Sequence, residues 1–246
     1  MYDRTRALSE RAQREVVSLL GAELRDRQPC LEVGVGTGRM ALPLYESGVE
    51  IAGIDLSEEM MAKLVDKSGG RAPFPLVVGD AVALPFRDES FGAGLVCHVL
   101  HLINHWPAAL LELVRVVRPG GVILIDWGGW GRGWSREITD RFCKEAGVRL
   151  PFPLNEGEPP RIGQIMRSLG TRARDLPPVQ DVQTGTVATQ IERLRSAIYS
   201  FTWGLGEEER RRAAEAVLPW AKERFGDLDE ARRMEREVTW HAFDVL

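Results

Sequence analysis

The chain has 246 residues, 44% of them hydrophobic and 28% charged, with a formal net charge of −4. That suffices for a sizeable core in one large domain or a domain with an insertion, and the acidic balance gives no electrostatic footprint for nucleic acid, whose binders carry a basic face. Three cysteines, Cys30, Cys97 and Cys143, form no C-x-x-C pair and suit a reducing compartment.

In chain order, the opening MYDRTRALSERAQ is too charged for a secretory apolar region, and no window reaches the roughly eighteen uninterrupted apolar residues of a membrane span. A cytoplasmic protein without a membrane partner is expected. A helix near 5–23, with Leu8, Val16, Val17, Leu19 and Leu20 as its apolar positions, leads to a first strand near 29–34. Helices at 37–47, 58–67 and 107–117 then separate strands at 51–56, 75–80, 92–98 and 122–127. Ser57 is a natural N-cap, and Pro119-Gly120-Gly121 is a stop before the fifth strand. This alternation requires a doubly wound α/β fold, with a mostly parallel sheet and helices on both faces.

After residue 127 the rhythm breaks. WGGWGRGW, residues 127–134, reads as a loop able to move over a ligand cleft, with helices expected at 135–146 and 161–169. A sixth strand is expected within 175–187 and a seventh within 236–246. Between them, 188–226 reads as an inserted helical pair placed as a cap. The arginine run at 210–212 follows Glu207, Glu208 and Glu209 and reads as a solvated helix face with i,i+3 and i,i+4 ion pairs.

The decade LEVGVGTGRM, residues 31–40, runs a buried strand into a glycine turn and on towards a helix. Gly34, Gly36 and Gly38 permit positive φ and close approach of a ligand, with helix-start N–H groups facing it. A dinucleotide fingerprint needs a third glycine three places after the second, and Arg39 stands there. Glu32 instead sits two places before the first glycine, giving E-x-G-x-G-x-G. Asp55 ends the strand IAGIDLS, residues 51–57, where a carboxylate can accept hydrogen bonds from both ribose hydroxyls. PLVVGDA, residues 75–81, ends in Gly79, Asp80 and Ala81, with LPF at 84–86. FGAGLVCHVLHLINHW follows at 91–106 and VVRPGGVILID at 116–126.

This set, over about residues 25–127, resembles the class I S-adenosylmethionine-dependent methyltransferases, and in particular the type 11 subgroup. The resemblance implies a Rossmann-like, seven-stranded sheet as one methyltransferase domain, with a cofactor core at 25–127 and a substrate and cap region at 128–235 that includes the helices at 188–226. It implies S-adenosyl-L-methionine as cofactor, bound by Glu32, Gly34, Gly36, Gly38, Asp55, Leu56, Met60, Gly79, Asp80, Ala81 and Cys97. The aspartate at Asp80 would accept from the adenine amino group. The end of the fourth strand would lie near the transferable methyl, which makes His98 and His101 the candidates for a general base.

Methyl transfer is an in-line displacement that depends on holding donor and acceptor in line and excluding water. His98, His101 and His105 also suggest a metal centre, but no carboxylate completes an obvious set nearby in sequence, and no metal is expected. Cys97 lacks the preceding proline of cytosine C5 methylation, Val96 standing there, and no N-P-P-Y motif follows the fourth strand. A small-molecule acceptor is therefore expected, on a monomer or homodimer. Two other readings stay open: a nicotinamide-dependent oxidoreductase on a related sheet, and a protein that binds S-adenosylmethionine without transferring its methyl group.

Overall fold

The computed structural model describes residues 7–126, 133–149 and 158–246. In chain order its elements are α1 (Glu10–Leu24), β1 (Cys30–Val33), α2 (Ala41–Glu46), β2 (Ile51–Asp55), α3 (Glu58–Lys67), β3 (Leu76–Val78), β4 (Phe91–Cys97), a 3-10 turn (Leu100–Leu102), α4 (Trp106–Val116), β5 (Val117–Asp126), α5 (Trp134–Ala146), α6 (Glu158–Ser168), β6 (Thr171–Asp175), β7 (Val179–Gly185), α7 (Val187–Arg195), a second 3-10 turn (Ser200–Thr202), α8 (Glu207–Phe225), β8 (Arg232–Val238) and β9 (His241–Val245). Over these residues the chain divides into two compact units: residues 13–126, 158–179 and 238–246, and residues 7–12, 133–149 and 180–237.

The first unit is a seven-stranded sheet in the order β3-β2-β1-β4-β5-β9-β6. Strands β1 to β5 pair in parallel, and β9 lies antiparallel between β5 and β6. Every residue of β1 and β4 is buried. Successive strand side chains point to opposite faces, so both faces of the sheet centre are covered, as a parallel sheet demands. Ser57 caps α3 by accepting the Met60 N–H, and Glu58 and Glu59 occupy the positive end of that helix.

Three expectations are corrected. The sixth strand of the sheet is β6 at Thr171–Asp175, upstream of the expected 175–187, most of which forms β7 and pairs with β8 in a separate two-stranded sheet. Pro177 and Pro178 separate the two, because proline supplies no ladder N–H. The helix expected at 37–47 shrinks to six residues, since 36–40 form turns and Gly38 holds φ +75°. The stop at Pro119-Gly120-Gly121 is a bulge inside β5: Phe91 pairs with Val117 but Ala93 with Val122, which leaves 118–121 opposite Gly92 alone.

The second unit is mainly helical. Ile138 and Phe142 of α5, Val187, Ile191 and Leu194 of α7, and Ala213, Ala214, Val217 and Ala221 of α8 form its core. Gln190 donates to Thr139 Oγ1 at 3.1 Å and accepts from the Tyr199 hydroxyl at 3.2 Å, which satisfies a buried amide. Trp134 packs on this core and donates its indole N–H to the Arg233 carbonyl. Tryptophans 127 and 130, and with them most of the expected cleft cover, lie outside the described residues. Two of the three arginines form the solvated ion-pair face expected, Arg211 bonding Glu208 and Glu215, both at 2.6 Å, and Arg212 facing Glu208, whereas half-buried Arg210 donates to the carbonyls of Arg195 and Leu205. Among the described residues no helix is long and apolar enough to cross a membrane.

Candidate cofactor and acceptor site

Register aligns the carboxyl ends of five strands. Val33 pairs with Ile54 and Val96, Asp55 with Val78, and Cys97 with Asp126. The residues just beyond these ends, where open α/β sheets bind ligands, are therefore Gly34 and its loop, Leu56, Gly79 and His98.

The three loop glycines all hold positive φ, at +73°, +51° and +75° for Gly34, Gly36 and Gly38, yet they serve different ends. A Cβ on Gly34 would stand 2.5 Å from Val99 Cγ2, and one on Gly38 would stand 2.6 Å from Leu64 Cδ1. Those two let the loop pack against the turn after β4 and against α3. A Cβ on Gly36 would meet Met60 Cε at 3.7 Å and Asp55 Oδ2 at 3.8 Å, ordinary van der Waals contacts, so this position is uncrowded where the other two are not.

Asp55 ties this part of the loop to the end of β2. Its Oδ2 accepts the Gly36 N–H at 2.7 Å and its Oδ1 accepts the Ser57 N–H at 2.9 Å. The loop is also hung on β2 by the Gly34 and Val35 N–H groups, which share the Ile54 carbonyl. Leu56 beside it is 73% exposed, an apolar side chain left at the rim of the strand ends. Across β3, the Gly79 N–H bonds the Asp55 carbonyl, and exposed Asp80 accepts the Val82 N–H on Oδ1 at 3.0 Å, with Ala81 partly exposed between. Arg115 braces the segment that follows, donating to the carbonyls of Leu84 and Phe86 and to Glu112 and Asp88.

Glu32 is buried on β1, and its Oε2 has no hydrogen-bond partner among the described residues. Burial pushes its carboxyl up to about 8, against the Arg39 charge and the Ala41 N–H, which favour ionisation; the Asp55 charge adds to the rise. The N–H at the start of α2 is thus given to Glu32, not left facing a ligand as the sequence suggested.

Beyond β4, Arg39 donates from Nη2 to Cys97 Sγ at 2.8 Å, and His98 Nε2 lies 3.0 Å from Asp126 Oδ2. Asp126 is buried and is the functional candidate that the sequence reading missed. Its signal was present: ILID ends a buried strand in an acid just as IAGID does. It also supplies the carboxylate that seemed lacking, since ligand atoms of Cys97, His98 and Asp126 lie within 4.8 Å of one another. His101 sits in the turn Leu100–Leu102, partly buried, and His105 precedes α4, exposed.

Residues 31–125 match the family model described as methyltransferase domain. Over that stretch the chain is similar to a methyltransferase domain. It is 35% identical over 117 residues to a demethylmenaquinone methyltransferase of Renibacterium salmoninarum, over 48% of this chain and 47% of that protein. The chain spans about half the length of the curated relatives it matches. Among solved structures, the YcgJ protein of Bacillus subtilis superposes with a TM-score of 0.63 at 15% identity, over 97% of this chain and all of that one. The [4+2]-cyclase SpnF superposes at 0.53 with 18% identity, over 98% of this chain and 84% of that one. These two likenesses show the fold alone. A methyltransferase domain and a cyclase can share it, so the reaction has to be read from the site.

Proposed function

We propose that this chain transfers a methyl group from S-adenosylmethionine to a small-molecule acceptor by in-line displacement. The observation that carries the reading is Gly36, at positive φ with its N–H on the Asp55 carboxylate, which brings loop backbone without a side chain to the strand ends. Bound there, the cofactor supplies an electrophilic methyl group on a sulfonium.

The chain's own residues fit that group. Asp55 spends one contact per oxygen on its own loop and keeps further lone-pair capacity for two ribose hydroxyls. Asp80, with Ala81 beside it, offers an exposed carboxylate to an adenine amino group, while Leu56 and Met60 give apolar flanks. Gly79 keeps the β3 end close to β2: a Cβ there would stand 2.8 Å from Ile54 Cδ1. Glu32 and Cys97 contribute through Arg39, which both approach from strand ends. His98 and His101 are the base candidates. A small acceptor accords with the acidic chain and with relatives named for demethylmenaquinone. A cytoplasmic location and a monomer or homodimer complete the proposal.

S-adenosylhomocysteine should raise the melting temperature, because a ligand that binds only the folded state stabilises it by mass action, and NADH should not. Asp55→Ala should weaken calorimetric S-adenosylhomocysteine affinity by about 2–4 kcal/mol through loss of charge-assisted bonds. A shift with NADH alone would replace methyl transfer by the oxidoreductase reading. Cofactor binding without S-adenosylhomocysteine release across a metabolite screen would leave a non-catalytic binder.

A further inference from the structure

Asp126 carries no role in the motifs at the strand ends, yet it determines how His98 stands. His98 is the first residue past β4, with φ +55°, a left-handed conformation that costs a residue with a side chain. Asp126 holds it there at two points. The His98 N–H donates to the Asp126 carbonyl at 2.8 Å, and ring Nε2 meets Oδ2 at 3.0 Å. The carboxylate side chain is 8% exposed and the imidazole 17%, so the contact is largely screened from water. Val99, the next residue, packs against Gly34, which brings this turn beside the cofactor loop. Backbone strain maintained by a buried partner at the mouth of a ligand site is a mark of function.

Resting on the methyl-transfer reading above, we propose that His98 and Asp126 form a general-base dyad, with His98 the catalytic residue and Asp126 its positioning residue. The acceptor is then a molecule whose nucleophile must shed a proton: one bearing a phenolic or enolic hydroxyl. A neutral amine has its lone pair ready and needs no such device.

The carboxylate takes the Nε2–H, which fixes the tautomer with Nδ1 as the basic nitrogen and stabilises the imidazolium once formed. In the step itself, the acceptor hydroxyl gives its proton to Nδ1 and its electrons form the new bond to the methyl carbon. The methyl–sulfur bond breaks with its pair retained by sulfur, and the imidazolium afterwards returns its proton to water. Among the described residues, the charged and titratable groups facing this pair include Cys97 from β4, with Sγ 3.9 Å from the same carboxylate oxygen, and Arg39 from the glycine loop against Cys97; Glu32 on β1 faces Arg39 in turn. The Arg39 guanidinium at Cys97 Sγ opposes a metal ion among these ligands, and the 3.0 Å contact is a hydrogen-bond distance.

Two measurements test the dyad in the full chain. In two-bond nitrogen–proton correlation spectra, His98 should show the Nε2–H tautomer, and Asp126→Asn should mix or invert it. With catechol and 1-naphthol as hydroxyl probes and benzylamine as control, S-adenosylhomocysteine release should favour the hydroxyls and rise with pH through one ionisation. His98→Asn, which tolerates the left-handed backbone, should lose about 100-fold in rate together with that rise, with S-adenosylhomocysteine affinity within about twofold of the parent. Asp126→Asn should move the rise to lower pH, because the carboxylate stabilises the protonated ring. A flat profile, a preference for benzylamine, a His98 spectrum unmoved by Asp126→Asn, or zinc binding that His98→Asn abolishes would each overturn the dyad. If neither hydroxyl is an acceptor, the spectrum alone decides. Absence of any S-adenosylhomocysteine binding would instead remove the methyl-transfer reading beneath it.

Discussion

Glu32 shows what one buried carboxyl does to a whole chain. Its value in the folded protein, about 8, lies above its ordinary 4.5, so folding takes up a proton between those limits. Stability from this group is therefore complete below about pH 4.5 and is lost as pH rises through 8. Glu32→Gln keeps the shape without the charge. The variant should melt higher than the parent near pH 9 by a margin that shrinks towards nothing near pH 5, as followed by calorimetric melting at both values. An equal difference at the two pH values would mean that Glu32 is ionised throughout. At this scale the sequence was legible where a motif named a residue, as with Asp55 in IAGID. It was illegible where the role depends on a partner from another strand, as with Asp126, whose meaning comes from the register that sets it opposite Cys97.

The glycine loop is one element with two kinds of glycine, and substitution separates them. Alanine at either Gly34 or Gly36 meets a positive φ that costs about 1–2 kcal/mol. At Gly34 it also drives a Cβ into Val99, adding about 1–3 kcal/mol of overpacking. Gly34→Ala should therefore lower the melting temperature well below that of Gly36→Ala, and Val99→Ala should recover part of the loss. Gly36→Ala should keep the fold and weaken cofactor affinity. Thermal melts of the three single variants and the Gly34→Ala/Val99→Ala pair check the order, and equal melting of the two alanine variants would show that the Val99 contact yields freely. Among the other elements, α3 matched its expected 58–67 because cap, first-turn acids and apolar spacing agree. Strand β6 did not, because T-R-A-R-D lacks an apolar alternation. It lies at the sheet edge, where charged side chains belong, and Arg174 bonds Glu23 and Asp244 from there.

The two compact units make different demands on sequence reading. The sheet unit follows a repeating strand–helix rhythm that local patterns reveal, whereas the helical unit is assembled from segments around residues 133–149 and 180–237 that no local pattern joins. Phe142, fully buried in the helical core, tests their independence. Phe142→Ala should cost about 3–5 kcal/mol and, if local opening is confined, should strip hydrogen-exchange protection from α5, α7 and α8 while β1, β4 and β5 keep theirs. Uniform loss across both units would show a single cooperative body. The place of β9 has a further consequence, for the nascent chain. Strand β6 meets the sheet only through β9, which the ribosome makes some seventy residues later, so until then β5 presents an open edge of Val122, Ile123, Leu124 and Ile125. Until β9 emerges, the growing polypeptide must shield that edge or lend it to a chaperone, and β9 is the strand that then closes it.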